Sequence, residues 1–491
     1  MKLLHTYTNK EPQFSAVCEA EVFKDPKLTL YNDALAAELG IDNTLKEMKA
    51  EELARFLCGN EVFGNQARAL AYAGHQFGGF SPKLGDGRAL LLGELHTKSG
   101  LKDLHLKGTG RTEFSRGGDG LCPLGPALRE YLVSEAVHSL GIKTARSLSV
   151  VETGDYVYRE TKEKGAVVSR VAASHIRIGT FEYFAARGMK KELSSLLEVA
   201  IDRHYQELAK LEPNSKEQVT AFLEAVSINQ SRMIASWMSF GFVHGVMNTD
   251  NMTISGETID FGPCAFIDNF EMSAVFSYID KEGRYRYDNQ LNIGKWNLCR
   301  LAEALLPILE ESLKDEKASV EHLNKTLEVC FENYKLAWLE AMAKKFGAVK
   351  PEPSFKNIIL EFLSILERDK LDFTNSFVSL ANSYDSNEKQ FRTEMFGEQF
   401  INMLNNSGLK FDENILFSSN PEFIPRNHLV AKALSEAEQG DYEFFNLLYS
   451  LSKEPYLSKQ DASSKFKLDT FDYLYSGPSD EEKVKNTFCG T

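Results

Sequence analysis

Three residues in a short stretch have side chains suited to metal and proton chemistry. Asp250 and Asn251 close the run His244-Gly245-Val246-Met247-Asn248-Thr249-Asp250-Asn251, and nine residues later Asp260 opens Asp260-Phe261-Gly262. A hard divalent cation such as Mg²⁺ takes oxygen ligands, which Asn251 and Asp260 supply. Asp250, next to the amide, can accept the proton of an attacking hydroxyl. Upstream, Lys107 ends the alternating run Leu104-His105-Leu106-Lys107, where an ammonium can neutralise phosphate oxygens. Glu130 and Glu135 both follow at a distance that lets a helix bring one of them to Lys107, and the residues alone do not choose. Gly85-Asp86-Gly87-Arg88 and Asp119-Gly120 offer flexible backbone for close approach to phosphate. Arg170 and Arg177, seven residues apart, carry the planar fork that binds phosphate in a bidentate manner.

These residues need elements to hold them. Ala89–Leu95 and Leu104–Lys107 read as strands, as do Leu148–Val151, Tyr156–Arg159 and Ala166–Val171. Leu128, Tyr131, Leu132, Ala136 and Leu140 recur at helical spacing, with Pro126 suited to a first turn and Gly141 to a stop. Val219–Phe240 reads as a long buried helix leading into His244, and a hairpin of Met252–Ser255 with Thr258–Ile259 is expected to turn at Gly256 and present Asp260. Residues 295–450 are mostly amphipathic helix. A β-rich half with one helix, followed by a helical half, is an α+β, two-lobed pattern.

Composition narrows the function. The 491 residues hold 70 acids against 56 Lys and Arg, a net charge of −14, which disfavours general affinity for nucleic acid or an anionic membrane. Residues 51–200 are the exception, with 20 basic against 17 acidic side chains, a balance that suits a small anionic ligand. No run of 18 apolar residues or apolar leader is visible, so no transmembrane helix and no signal or transit peptide is expected. Seven scattered cysteines without a CxxC pair argue against zinc and for a reducing compartment. A cytoplasmic monomer is the expectation, with mitochondria the alternative for a eukaryotic source.

The order of these features matches a protein-kinase pattern in part. A kinase catalytic loop reads H-R-D-x-x-x-x-N, with D-F-G downstream. His244 and Asn251 align with its ends, while Val246 falls where the catalytic Asp belongs. The stretches YAGHQFGGF, LGDGRA, LHLKGTGRTEFSRGGDG, REYLVSEAVHSLGI, VVSRVAASHIRIGTFE and HGVMNTDNMTISGETIDFGPCAF, over about residues 72–268, closely resemble the SelO (YdiU-type) family of kinase-fold protein adenylyltransferases. The run Leu121–Pro126 departs from the basic stretch common in that family.

The resemblance implies a kinase-like fold: an N-terminal wrap (1–60), a β-rich N-lobe (61–180), a helical C-lobe (181–475) carrying the loop 244–251 and the 260–262 tripeptide, and a flexible tail (476–491). It implies that ATP binds in a flipped orientation and that AMP passes to Ser, Thr or Tyr hydroxyls of proteins with release of diphosphate. It makes Asp250 the catalytic acid-base residue, Asn251 and Asp260 the Mg²⁺ or Mn²⁺ ligands, and Lys107 the phosphate-binding lysine with Glu130 as its partner. Gly85, Gly87, Arg88, Asp119, Gly120, Arg170 and Arg177 become nucleotide contacts. Members of the family carry a Cys or selenocysteine near the C-terminus, which implies a redox role for Cys489, paired with Cys264 just past the D-F-G glycine. The alternatives are a nucleotide-binding scaffold without turnover and an atypical kinase that transfers the γ-phosphoryl group.

Overall fold

The computed structural model describes residues 3–41, 47–61, 66–468, 472–484 and 487. Alternating aliphatic residues in the first third of the chain build one large antiparallel sheet. Its strands are β1 (Ser15–Val17), β2 (Lys27–Tyr31), β3 (Arg68–Leu70), β6 (Ala89–Thr97), β7 (Gly100–Lys107), β9 (Arg146–Tyr158) and β10 (Lys162–Ala172), in the spatial order β1-β3-β6-β7-β10-β9-β2. A short β8 (Cys122–Pro123) pairs with β10, and β4 (Gly74–Gln76) with β5 (Gly79–Ser81) forms a separate hairpin. Residues 1–60 therefore supply the strands at both ends of the large sheet. The runs expected at Leu148–Val151 and Tyr156–Arg159 are one continuous strand, β9.

The two faces follow from period-2 alternation. Leu90, Leu92, Leu104, Leu106, Val151 and Val167 share a core with Phe56 and Leu57, while Leu91, Val150 and Val168 join the core on the other side, with Leu128 and Leu132. Leu128 and Leu132 belong to helix α1 (Leu124–Ser139), which carries Pro126 in its first turn and lies almost wholly buried. Each such leucine removed from water stabilises the packing by roughly 1.5–3 kcal/mol. Further along come α2 (Ile178–Ala185) and α3 (Lys216–Ser239), the latter capped by the Ser215 side chain, which accepts from the Gln218 amide. Helices α4 (Gln290–Leu313) and α5 (Glu316–Lys344) pack on α3, and helices dominate the remainder. The molecule is thus α+β, with a β-rich N-terminal region and a helical C-terminal region. Among the described residues no helix is long and apolar enough to cross a membrane.

The segment after α3 differs from the expected hairpin. A two-residue pair, β11 (Phe242–Val243) with β12 (Ala265–Phe266), brackets it, but Met252–Ile259 folds back on itself at a single described bridge, Met252 with Thr258, while Thr253 bridges Arg177 and Thr258 bridges Thr144. Side chains replace the ladder there: Thr253 Oγ1 donates to the Glu257 carbonyl and accepts from the Glu257 amide. Such local bonding competes with strand pairing. The described part of the tail is also docked: Thr487 Oγ1 donates to the Pro263 carbonyl at 2.6 Å, and the Thr487 amide donates to Phe276 O at 2.7 Å.

Candidate active site

Strand β7 delivers Lys107, and helix α1 delivers Glu130. Their side chains meet, Lys107 Nζ lying 2.9 Å from Glu130 Oε2 and 3.1 Å from Asp260 Oδ1. Strand β10 runs beside β7 and brings Arg170, whose guanidinium binds the same Glu130 carboxylate and lies 3.5 Å from Asp260 Oδ1. Glu135, the other candidate for Lys107, instead accepts from Arg146 and Asn32. All four members of the Lys107–Glu130–Arg170–Asp260 cluster are largely withdrawn from water. Burial opposes each charge, but the opposite charges outweigh it. Glu130 is held down at about 2 by Arg170 and Lys107. Lys107, Arg170 and Arg88 hold the Asp260 carboxyl far below the ordinary carboxylate range, and Glu130 and Asp260 raise Lys107.

A cavity of about 630 Å³ opens in front of this cluster. It is lined by Gly85, Gly87, Arg88, Lys107, Asp119, Gly120, Arg170, Arg177, Asp250, Asn251 and Asp260. Two glycines are there because nothing else fits. Gly85 has φ +61° and a Cβ would lie 2.2 Å from the Phe114 ring; Gly120 has φ +72° and a Cβ would lie 1.9 Å from the Gly110 carbonyl. The Asp119 carboxylate is engaged by Arg159 in a two-pronged pair of 2.7 and 3.0 Å, and Arg159 also lines the cavity.

Asp250 and Asn251 occupy a 3₁₀ turn, Thr249–Asn251, at the cavity wall. The Asn251 side-chain NH₂ donates to the Val246 carbonyl at 3.0 Å, which leaves its amide oxygen as a donor for a cation. With the Asp260 carboxylate this makes an oxygen-only pair suited to Mg²⁺ or Mn²⁺. Among the described residues no group of three or more His, Cys, Asp or Glu could hold a metal. A cation here would complete its coordination with phosphate oxygens and water. Asp250 Oδ1 is buried and has no hydrogen-bond partner among the described residues. Burial pushes its carboxyl up to about 6, with Arg177 opposing. Arg177 lies with its guanidinium 4.2 Å from the Tyr72 ring centroid, and its Nη1 donates to the Asp250 carbonyl at 3.3 Å.

His244, which aligns with a catalytic-loop histidine, is wholly buried, and its ring bonds to the Ile259 carbonyl at 2.9 Å, so it supports the loop. Cys264 is also fully buried. Its Sγ donates to the Phe261 carbonyl, and burial pushes the thiol up to about 11. Cys489 lies outside the described residues. The structure adds residues that sequence reasoning passed over. Asp86, between the two loop glycines, is buried and bonded to His105 and to the Leu70 amide. Gln76 Nε2 donates to Asp250 Oδ2 at 3.3 Å, and Glu182 joins His75 to Thr249. The GHQFGG spelling pointed to this hairpin, and Glu182 closes the stretch VVSRVAASHIRIGTFE, but neither spelling showed that the two meet.

Residues 2–453 match the family model of Protein adenylyltransferase SelO. The chain is 44% identical over 475 residues to the protein nucleotidyltransferase YdiU of Clostridium perfringens, covering 95% of this chain and 93% of that protein. It is 42% identical over 502 residues to the YdiU of Rhizobium rhizogenes, covering 99% and 96%, and 42% identical over 504 residues to that of Agrobacterium fabrum, covering both chains fully. A match of this extent, carried through the loops that line the cavity, means that the chain belongs to the SelO family of protein adenylyltransferases.

Proposed function

We propose that this chain transfers the adenylyl group of ATP to Ser, Thr or Tyr hydroxyls of other proteins. The observation that carries the reading is the arrangement in one cavity of a buried carboxylate oxygen on Asp250, without a hydrogen-bond partner among the described residues, and the oxygen pair of Asn251 and Asp260, backed by the Lys107–Glu130–Arg170 cluster. The strand lysine paired with a helix glutamate, beside the helical region that carries Asp260, supports a kinase-like two-lobed fold, with lobes at 61–180 and 181–475.

In this reading Asp250 takes the proton as the acceptor hydroxyl oxygen bonds to the α-phosphorus. The bond from that phosphorus to the bridging oxygen breaks, and diphosphate leaves. A carboxyl poised at about 6 is largely ionised at neutral pH yet is a stronger base than an ordinary aspartate. Lys107, Arg170 and Arg177 bind and orient the phosphate chain, and the glycine loops at 85–88 and 119–120 let backbone approach it. A divalent cation held by Asn251 and Asp260 would neutralise phosphate charge. Val246 leaves no acid at the position a phosphotransferase uses.

The test is incubation with ATP labelled at either the α- or the γ-phosphate, with Mg²⁺ or Mn²⁺ and a protein mixture. Protein-bound α-label supports the reading. Bound γ-label makes the chain a kinase, and binding without transfer makes it a scaffold. We propose further that Cys489 pairs with Cys264 under oxidation. The support is Thr487, which anchors the tail on Pro263, next to Cys264. Because the Cys264 thiol is buried and poorly ionised, pairing needs local opening. Peptide mapping of oxidised protein decides it.

A further inference from the structure

The β4–β5 hairpin, Gly74–Ser81, lies directly on the turn that carries Asp250. Its backbone is tied there on both sides of Gln76. The His75 amide donates to Thr249 Oγ1 at 2.7 Å, and the Phe77 amide donates to Asn248 Oδ1 and to the Tyr285 hydroxyl oxygen at 3.1 Å each. Thr249 Oγ1 in turn donates to Glu182 Oε2 at 2.5 Å, and the other oxygen of Glu182 is bonded to the His75 ring. Tyr285 closes the opposite side by donating its hydroxyl to Asn248 Oδ1 at 2.6 Å. The residues flanking Gln76 are thus fastened to the two residues that precede Asp250 in the chain.

The side chains complete the arrangement. Gln76 Nε2 donates to Asp250 Oδ2 at 3.3 Å, while Oδ1 stays buried and without a partner among the described residues. Gly74 faces that second oxygen: a Cβ there would lie 2.5 Å from Asp250 Oδ1 and 3.0 Å from Asp250 Cβ. One hairpin residue fixes one oxygen, and another leaves room beside its neighbour. A carboxylate bound at one oxygen cannot spin about its Cβ–Cγ bond without losing that hydrogen bond, so the free oxygen keeps a set direction.

Resting on the adenylyl-transfer reading above, we infer that Gln76 is a positioning residue for Asp250. Through Oδ2 it fixes the orientation in which the carboxylate meets the incoming hydroxyl, and Gly74 leaves Oδ1 the room it occupies against the hairpin. The role is confined to the proton-accepting side of the reaction. The ATP-side residues Lys107, Glu130, Arg170 and Asp260 are bonded to one another.

The test is steady-state kinetics of adenylyl transfer from α-labelled ATP by full-length wild type, Gln76→Ala, Gln76→Glu and Gly74→Ala, with ATP binding and melting temperature measured on the same preparations. A misdirected base costs rate and leaves binding alone, so kcat should fall about 10- to 100-fold in Gln76→Ala. KM and Kd for ATP should stay within about twofold of wild type. Gln76→Glu has nearly the same shape but, when ionised, offers no donor, so it should lose rate as Gln76→Ala does. Gly74→Ala, which alters no hydrogen-bonding side chain, should lose kcat by crowding Oδ1. Wild-type kcat in both Gln76 variants overturns the inference, as does a loss of rate matched by lost ATP affinity or a lowered melting temperature. Failure of the wild type itself to transfer the α-label removes the reading of the site, and the positioning role with it.

Discussion

Asp260 holds φ at +65°, a left-handed conformation that costs a residue with a Cβ about 1–2 kcal/mol. The contacts of its carboxylate with Lys107 and Arg170 offset that cost. Asp260→Ala should therefore abolish adenylyl transfer and metal-dependent ATP binding, and the protein should melt lower. Asp260→Gly should be equally inactive yet melt higher than Asp260→Ala, because glycine tolerates the backbone angle; calorimetry beside an ATP-binding assay separates the two effects. Asp250→Ala should behave differently, losing turnover while ATP affinity persists, since the base acts as the hydroxyl reacts. Glu130 carries a different burden. It is the shared counter-charge of two buried cations, and Glu130→Ala removes the carboxylate that both of them bind. A loss of about 3–5 kcal/mol in urea unfolding is expected.

Most of the elements that deliver these residues were legible. Strand-like runs marked β6 and β10, alternation marked β7, helical spacing marked α1 and a long apolar stretch marked α3, because each is strongly apolar where it packs. The turn after α3 was not, because Thr253 satisfies backbone groups that a hairpin would have paired. The β4–β5 hairpin read only as a glycine-rich stretch, since its meaning lies in contacts with residues more than 170 positions away. Residue identities at the site were readable from motif order, but not the use of Asp119 by Arg159 or the buried anchoring of Asp86. At this scale the glycine loop offers a clean measurement. Gly120→Ala combines a positive φ with a backbone collision at the Gly110 carbonyl, so it should destabilise the loop by at least about 1–2 kcal/mol. It should raise KM for ATP far more than it lowers kcat.

At the scale of the whole molecule, Lys345 is a buried cation away from the site that bonds to a carbonyl. Lys345 follows helix α5, donates from Nζ to the Ser419 carbonyl at 2.9 Å, and lies over the rings of Phe377 and Phe240. Burial lowers its ammonium to about 7, against about 10.4 in an unfolded chain. Between those values the unfolded chain binds the extra proton, so stability rises with pH through that window and is lower below about 7. Lys345→Met should flatten the rise, seen as a smaller change in urea midpoint between pH 7 and pH 9 than in wild type. The sheet that holds Lys107 and Arg170 has a different dependence. Its terminal strands, β1 and β2, come from the first 31 residues, and β2 reaches β9 across more than 110 positions of chain. Proteolytic clipping of those residues would leave Lys107 and Glu130 in place but uncover the hydrogen-bonding rims of β3 and β9. A thirteen-residue strand such as β9, stripped of its neighbour, is a template for another chain to add to. The opening segment thus acts as a guard against aggregation, and its loss would appear first as insolubility.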